Sequence, residues 1–221
     1  MNNDKKFKGL RKFIWKLLRI SKLAASVQLI LESALIDDGW FKSYYKKESI
    51  DKGNNPIPWN TYPFIKFIEP RLKKNFNVFE YGCGNSTLWY SKRVNSIVAV
   101  ENDKDWFEKI KSQLPDNAKI IYKDLEYEGE YSAEVLKYSE HFHIIIIDGR
   151  DRVNSVKNSL GKLTEDGIII FDNSELSQYK DAMNILSQSN FRRIDFWGIS
   201  PITAHNTCTS IFYGKNNCLK I

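Results

Sequence analysis

The feature that most limits what this chain can become is a pair of apolar runs without polar alternation, "HIIIID" ending at Asp148 and "GIIIFD" ending at Asp172. A strand that meets water on one face alternates polar and apolar residues, because successive side chains point to opposite faces. Four consecutive branched or aromatic residues instead need cover on both faces, as in the middle of a parallel sheet flanked by helices. Short apolar runs recur from Asn77 onward: Val78 to Tyr81, Ile97 to Val100, Lys119 to Tyr122, His143 to Ile147, Ile168 to Phe171, Ile194 to Trp197 and Thr209 to Tyr213. Between them Trp106, Phe107, Ile110 and Leu114 mark one amphipathic helix, and Val153, Val156, Leu160 and Leu163 another. This βαβ rhythm predicts an α/β fold built on a single doubly wound, mostly parallel seven-stranded sheet. Ligands are then expected beyond the carboxyl ends of its strands.

With 221 residues, 42% of them hydrophobic, the chain can bury one substantial core. The expected organisation is a basic amphipathic helical extension over 1–45, a loop over 46–58 and one domain over 59–221. The stretch "KKESIDKGNNPIPWNTYP" (46–63) is rich in Gly, Asn and Pro, as an ordered loop or linker would be. Thr61 is placed to cap a helix with Pro63 in its first turn, and Pro70 to end it.

Charge is concentrated at the start. Residues 1–23 hold eight Lys and Arg against Asp4 alone, an excess of seven in a chain of net charge +6, so the remainder carries −1. Leu10, Ile14, Leu17, Leu18 and Ser21 recur at helical spacing beside a stripe of Lys8, Lys12, Lys16 and Arg19. One reading is peripheral contact with an anionic membrane, on its inner face. The commoner arrangement, expected here, lays the apolar face on the domain core. A nucleic-acid arm ranks last, because the body offers no extended basic track. Lys16, Arg19 and Lys22 interrupt the only long hydrophobic region, which excludes a spanning segment there. Cys83, Cys208 and Cys218 are odd in number and widely spaced, which fits a reducing cytoplasm better than a disulfide framework or a zinc site.

Acids and amides collect where the runs end: Glu80 and the turn Gly82, Cys83, Gly84, Asn85, Ser86; then Glu101, Asn102 and Asp103; Asp124; Asp148 and Arg150; Asp172 and Asn173. Gly82 and Gly84 allow a sharp turn and a close backbone approach to a ligand. Glu101, nineteen residues after Gly82, is placed to accept hydrogen bonds from both hydroxyls of a ribose. Thr87 stands where a dinucleotide fingerprint has its third glycine, and an acid at Glu80 suits an ammonium group better than a phosphate. Charge therefore favours S-adenosylmethionine, a sulfonium cation, over NAD. An NAD-dependent oxidoreductase and a non-catalytic binding protein remain the alternatives.

In the ordered set "PWNTYP", "FEYGCGNSTLW", "IDGRDR", "FDNSE" and "CTSIFYGKNNCL", the chain resembles the class I S-adenosylmethionine-dependent methyltransferases, closest to a group of small bacterial ones. The resemblance runs from about Trp59 to Tyr213 and implies a Rossmann-like methyltransferase fold whose last strands form a hairpin with the seventh antiparallel. It implies that Glu80, Gly82, Gly84 and Ser86 cradle the methionine and ribose, that Glu101 holds the ribose, that Asp124 and Leu125 flank the adenine, and that Asp148 lies under the sulfonium. Thr61 and Asn102 complete the cofactor set. Ser86 departs from the third glycine of many members.

The place of the Asp/Asn-Pro-Pro-aromatic segment of base-nitrogen methyltransferases is held by "DGRDR", which disfavours nucleobase amines and nucleic acid. An acid after the fourth strand with "DN" after the fifth resembles metal-dependent catechol-type O-methyltransferases. That makes Asp148, Asp172 and Asn173 candidate Mg2+ ligands, though such residues also cap helices and make Asx turns. Asp148, Arg150, Asp172 and Asn173 are the candidate catalytic group, and Arg150 either anchors the acceptor or pairs with a rim carboxylate. His141 and His143 sit at the far end of their strand and are expected to be structural. His205 is either a general base or a solvated loop residue. Trp59 and Tyr62 either wall the cofactor or pack in the core. The expected acceptor is a hydroxyl oxygen of a carbohydrate or other polar small molecule, including a glycan.

Overall fold

The structure, a computed structural model, describes residues 3–221. In chain order it holds α1 (Asn3–Ile20), α2 (Ala24–Leu31), α3 (Ala34–Asp37), α4 (Trp40–Lys46), α5 (Tyr62–Ile68), β1 (Asn77–Tyr81), α6 (Asn85–Ser91), β2 (Ser96–Glu101), α7 (Lys104–Lys111), β3 (Ala118–Tyr122), α8 (Glu130–Ala133), β4 (Phe142–Ile147), α9 (Arg152–Ser159), β5 (Leu163–Asp172), α10 (Lys180–Gln188), β6 (Arg192–Gly198) and β7 (Thr207–Tyr213).

The strands form one seven-stranded sheet in the order β3-β2-β1-β4-β5-β7-β6. The first five are parallel, while β7 runs antiparallel to both β5 and β6. Strand order reverses between β1 and β4, which places a crevice at their carboxyl ends.

The unalternated runs are covered on both faces, as their composition requires. Ile144, Ile146, Ile168 and Ile170 enter one core cluster with Phe64, Trp89 and Tyr90. Their neighbours Ile145, Ile147, Ile169 and Phe171 enter another with Tyr131, Val156 and Leu186. Each fully buried isoleucine removes enough apolar area from water to contribute roughly 1.5–3 kcal/mol.

Two expected helices are shorter than their apolar spacing suggests. α9 ends at Ser159, a 3-10 turn covers Leu160–Lys162, and Leu163 opens β5 by pairing with Phe142 of β4. The early part of β5 overhangs the core with Glu165 and Asp166 exposed, so no apolar run announces it. α7 stops at Lys111, yet Leu114 still packs on the small cluster around Phe107 and Ile110.

The extension departs from expectation most. Leu10, Phe13, Ile14, Leu17 and Ile20 are between 47% and 71% exposed, and α2 buries no residue. The apolar face of α1 therefore does not lie on the domain core. The core clusters are built from Trp40 and later parts of the chain. The chain joins the domain further on, where Trp40 Nε1 donates to the Thr203 carbonyl (2.7 Å) and Lys66 pairs with Asp38 (2.7 Å).

Candidate functional site

Two turns meet back to back at the crevice. Gly82, directly after β1, has φ +86°, and a Cβ on it would come within 3.1 Å of the Gly149 Cα. Gly149, after β4, is tighter still: a Cβ there would stand 1.9 Å from Tyr131 Oη and 2.8 Å from the Gly82 nitrogen. Gly149 was not among the residues expected from the sequence, although it follows Asp148 directly.

Glu80 is not on the cavity. It is 1% exposed, and its two carboxylate oxygens accept from the Ser86 and Thr87 hydroxyls, each at 2.5 Å. Thr87 Oγ1 also accepts from the Gly84 N–H (3.0 Å), so the threonine in the third-glycine place locks the turn. Glu80 therefore braces the glycine turn from beneath rather than facing a methionine ammonium. Burial pushes its pKa up to about 7 against the two hydroxyl hydrogen bonds, with Glu101 adding to the rise. A folded-state value above the ordinary one means stability that is complete below about pH 4.5 and lost as pH rises through about 7. A shift of this size is worth about 3 kcal/mol. Urea unfolding between about pH 5 and pH 8 is expected to show a larger loss in the wild type than in Glu80→Gln, which keeps only the part contributed by the other raised carboxyls, Asp148 and Asp172.

Glu101, at the end of β2, faces the turn. Its Oε2 accepts from the Cys83 N–H (2.9 Å), and its Oε1 accepts from the Asn102 and Asp103 N–H groups (2.8 Å each). Three backbone donors fix the carboxylate, and Glu101 lines the cavity wall. Trp106 of α7 closes this corner, its Nε1 donating to the Cys83 carbonyl (2.7 Å). Burial, then Glu101 and Glu80, push the Cys83 thiol far above its ordinary range, so it stays protonated and serves as a small turn residue.

Asp148 follows β4 and Asp172 ends β5, and Arg152 of α9 ties them together. Its Nη2 donates to the Asp148 carbonyl (3.1 Å) and Oδ1 (3.2 Å), its Nη1 to the Asp172 carbonyl, and its Nε to the Gly149 carbonyl (2.9 Å). Arg150 was the arginine expected here, and Arg152, the first residue of α9, makes these contacts instead. Burial and then Asp172 hold the Asp148 pKa well above the usual carboxylate range, with Arg152 opposing them. Burial also raises Asp172, against the Thr209 hydroxyl (2.5 Å to Oδ1), the nearby Asn60 amide and Arg152.

A Mg2+ site does not fit this arrangement. Among the described residues no group of three His, Cys, Asp or Glu side chains converges. The guanidinium of Arg152 already bridges Asp148 and the end of β5, and Asp172 gives Oδ1 to Thr209.

Gly82, Gly84, Ser86, Glu101, Asn102, Asp148, Arg150, Asp172 and Asn173 all line one cavity of about 730 Å³. Four expected residues do not. Thr61 is fully buried and its hydroxyl donates to the Phe196 carbonyl (3.0 Å). Asp124 accepts from Tyr122 Oη (2.5 Å) beyond the edge strand β3, and Leu125 lies with it outside the cavity. Glu80 is the fourth.

The outer walls come from 47–59 and the β6–β7 loop. The first is folded over by Asp51, whose Oδ1 accepts from the Gly53 and Asn55 N–H groups (2.7 and 2.8 Å), and is pinned by Asn85 Nδ2 donating to the Ser49 carbonyl (2.7 Å). Trp59 stands on the wall, whereas Tyr62 is core. His205 is on the cavity wall, while His143 stacks on Phe76 (5.1 Å) and accepts from the Asn77 N–H (3.1 Å) at the opposite sheet end.

No family model and no curated protein matches the sequence. Solved structures match its fold. An rRNA methylase from Streptococcus thermophilus aligns with a TM-score of 0.54 at 14% identity, over 69% of this chain and 97% of the other. A precorrin-6y C5,15-methyltransferase from Geobacter metallireducens aligns with a TM-score of 0.56 at 13% identity, over 69% and 87%. A Streptococcus mutans protein, described as a methyltransferase and solved in complex with SAH, aligns with a TM-score of 0.50 at 17% identity, over 67% and 94%. The chain has the Rossmann-like fold that these methyltransferases share.

Proposed function

We propose that the cavity binds S-adenosylmethionine and that the chain transfers its methyl group to a hydroxyl oxygen of a carbohydrate or other polar small molecule. The observation that carries the reading is that the glycine turn, Glu101 and Asp148, from three different strands, line one cavity. The residues fit the ligand. Glu101 offers an oriented carboxylate for a ribose diol, and the Gly82–Gly84 turn leaves backbone open to the cavity. Trp106 gives a flat apolar surface for a purine. The likeness in fold to a protein solved with SAH supports the same choice.

When bound, S-adenosylmethionine supplies an electrophilic methyl group on a sulfonium. The chain's own residues hold, orient and move protons. Asp148, set by Arg152, provides negative charge for a cation. Asp172, a buried carboxyl with a raised pKa, takes the proton of the acceptor hydroxyl. Arg150, exposed on the rim, and Asn173 orient the acceptor, with polar partners from Ser200, Thr203, His205 and Thr207 on the facing wall.

Charge gives the test. As pH rises Asp148 ionises, so affinity for the sulfonium should rise while affinity for S-adenosylhomocysteine, which lacks that charge, stays nearly level. Calorimetry at stepped pH, from acid to alkaline within the range where the fold is stable, is expected to show this ratio climbing in the wild type and climbing less in Asp148→Asn. A wild-type ratio that does not change with pH would remove Asp148 from the sulfonium site.

A further inference from the structure

The N-terminal helices form a surface that the domain leaves uncovered. Projected at 3.6 residues per turn, Leu10, Phe13, Ile14, Leu17 and Ile20 of α1 share one face, and Lys8, Arg11, Lys12, Lys16 and Arg19 share the other. After the turn at Lys22 (φ +60°), α2 carries "AASVQLIL", without a charged side chain. Leu23, Leu29, Ile30 and Leu31 are 49% to 67% exposed. Contiguous exposed apolar area of this kind marks a contact surface.

We infer that α1 and α2 lie in the interface of an anionic lipid bilayer, α1 along the headgroups and α2 with its apolar side chains among the acyl chains. This inference does not rest on the methyl-transfer reading. The chemistry of the occupant follows from charge. Residues 1–23 carry an excess of seven positive charges beside the apolar stripe. A second copy would bring the same excess against it, whereas an anionic leaflet meets both the stripe and the charge. The helices lie on the membrane rather than span it: no described helix is long and apolar enough to cross. α2, with eight residues, rises only about 12 Å against a hydrocarbon core of roughly 30 Å.

The test is sedimentation of the full chain with vesicles of phosphatidylcholine alone and of phosphatidylcholine with about a third phosphatidylglycerol. Binding is expected to be at least about tenfold tighter on the anionic vesicles, since each basic residue near such a surface is worth about fivefold. It should fall steeply as salt rises to about 0.5 M. Lys12→Glu with Lys16→Glu, which together change the charge by four, should cost roughly several hundredfold, and Ile14→Glu with Leu17→Glu should abolish sedimentation. All four positions are exposed, and circular dichroism checks that both variants keep the fold. Absence of binding to anionic vesicles, equal binding to both kinds, or binding unchanged in the paired variants would overturn the inference. So would a concentration-dependent dimer, by light scattering, that Leu17→Glu dissolves.

Discussion

Titrating Glu101→Ala with S-adenosylmethionine is expected to show binding weakened about a hundredfold or more. A charged hydrogen bond contributes roughly 1.5–3 kcal/mol, and a ribose diol offers two hydroxyls to one carboxylate. The same substitution frees the N–H groups of Cys83, Asn102 and Asp103, so some loss of stability comes with it. The two effects separate by measurement. Thermal unfolding without ligand reads the orphaned donors, as a fall of several degrees, while ligand titration well below the melting point reads the diol contact. Glu101→Gln keeps one acceptor oxygen and should lie between wild type and alanine in both.

Gly149→Ala is expected to damage both the fold and the site. Its Cβ would stand 1.9 Å from Tyr131 Oη and 2.8 Å from the Gly82 nitrogen, both in well-packed surroundings. The β1 and β4 turns must then separate, which both destabilises the fold, by about 3 kcal/mol or more, and misplaces Asp148 relative to Gly82. Combining it with Tyr131→Phe removes the first clash and leaves the second. The double variant should therefore recover part of the stability lost by Gly149→Ala and little of the ligand affinity. Chemical denaturation and calorimetry on the two variants check this; equal damage in both would show that Tyr131 is not the obstacle.

Much of the sheet was legible because strand burial on both faces leaves a continuous apolar signature, as at Ile144–Ile147. Glu101 was legible because counting from the glycine turn to the end of the next strand needs only the order of elements. Side-chain direction was not. Along β1, Phe79 and Tyr81 face one core cluster and Val78 faces the other. Alternation therefore sends Glu80 to the Val78 side, beneath α6, while its place before the glycines suggested the cavity. Asp124 follows edge strand β3, two strands from β1, and the runs do not reveal strand order.

Arg152 was hidden by Arg150 two residues earlier, since only the helix start decides which guanidinium turns back to Asp148. The fold of 47–59 over the cavity depends on Asn85 reaching Ser49 across 36 residues, a contact without local signature. The same periodicity that identified α1 as amphipathic was silent on which surface its apolar face would meet.

The central claim is that the carboxyl ends of β1, β2 and β4 together hold a sulfonium nucleoside. Titration calorimetry of the unmodified chain with S-adenosylmethionine, S-adenosylhomocysteine and NAD tests it most directly. One site per chain for the first two, each displacing the other, and no heat from NAD is the expected result. Binding of NAD with none of S-adenosylmethionine would contradict it.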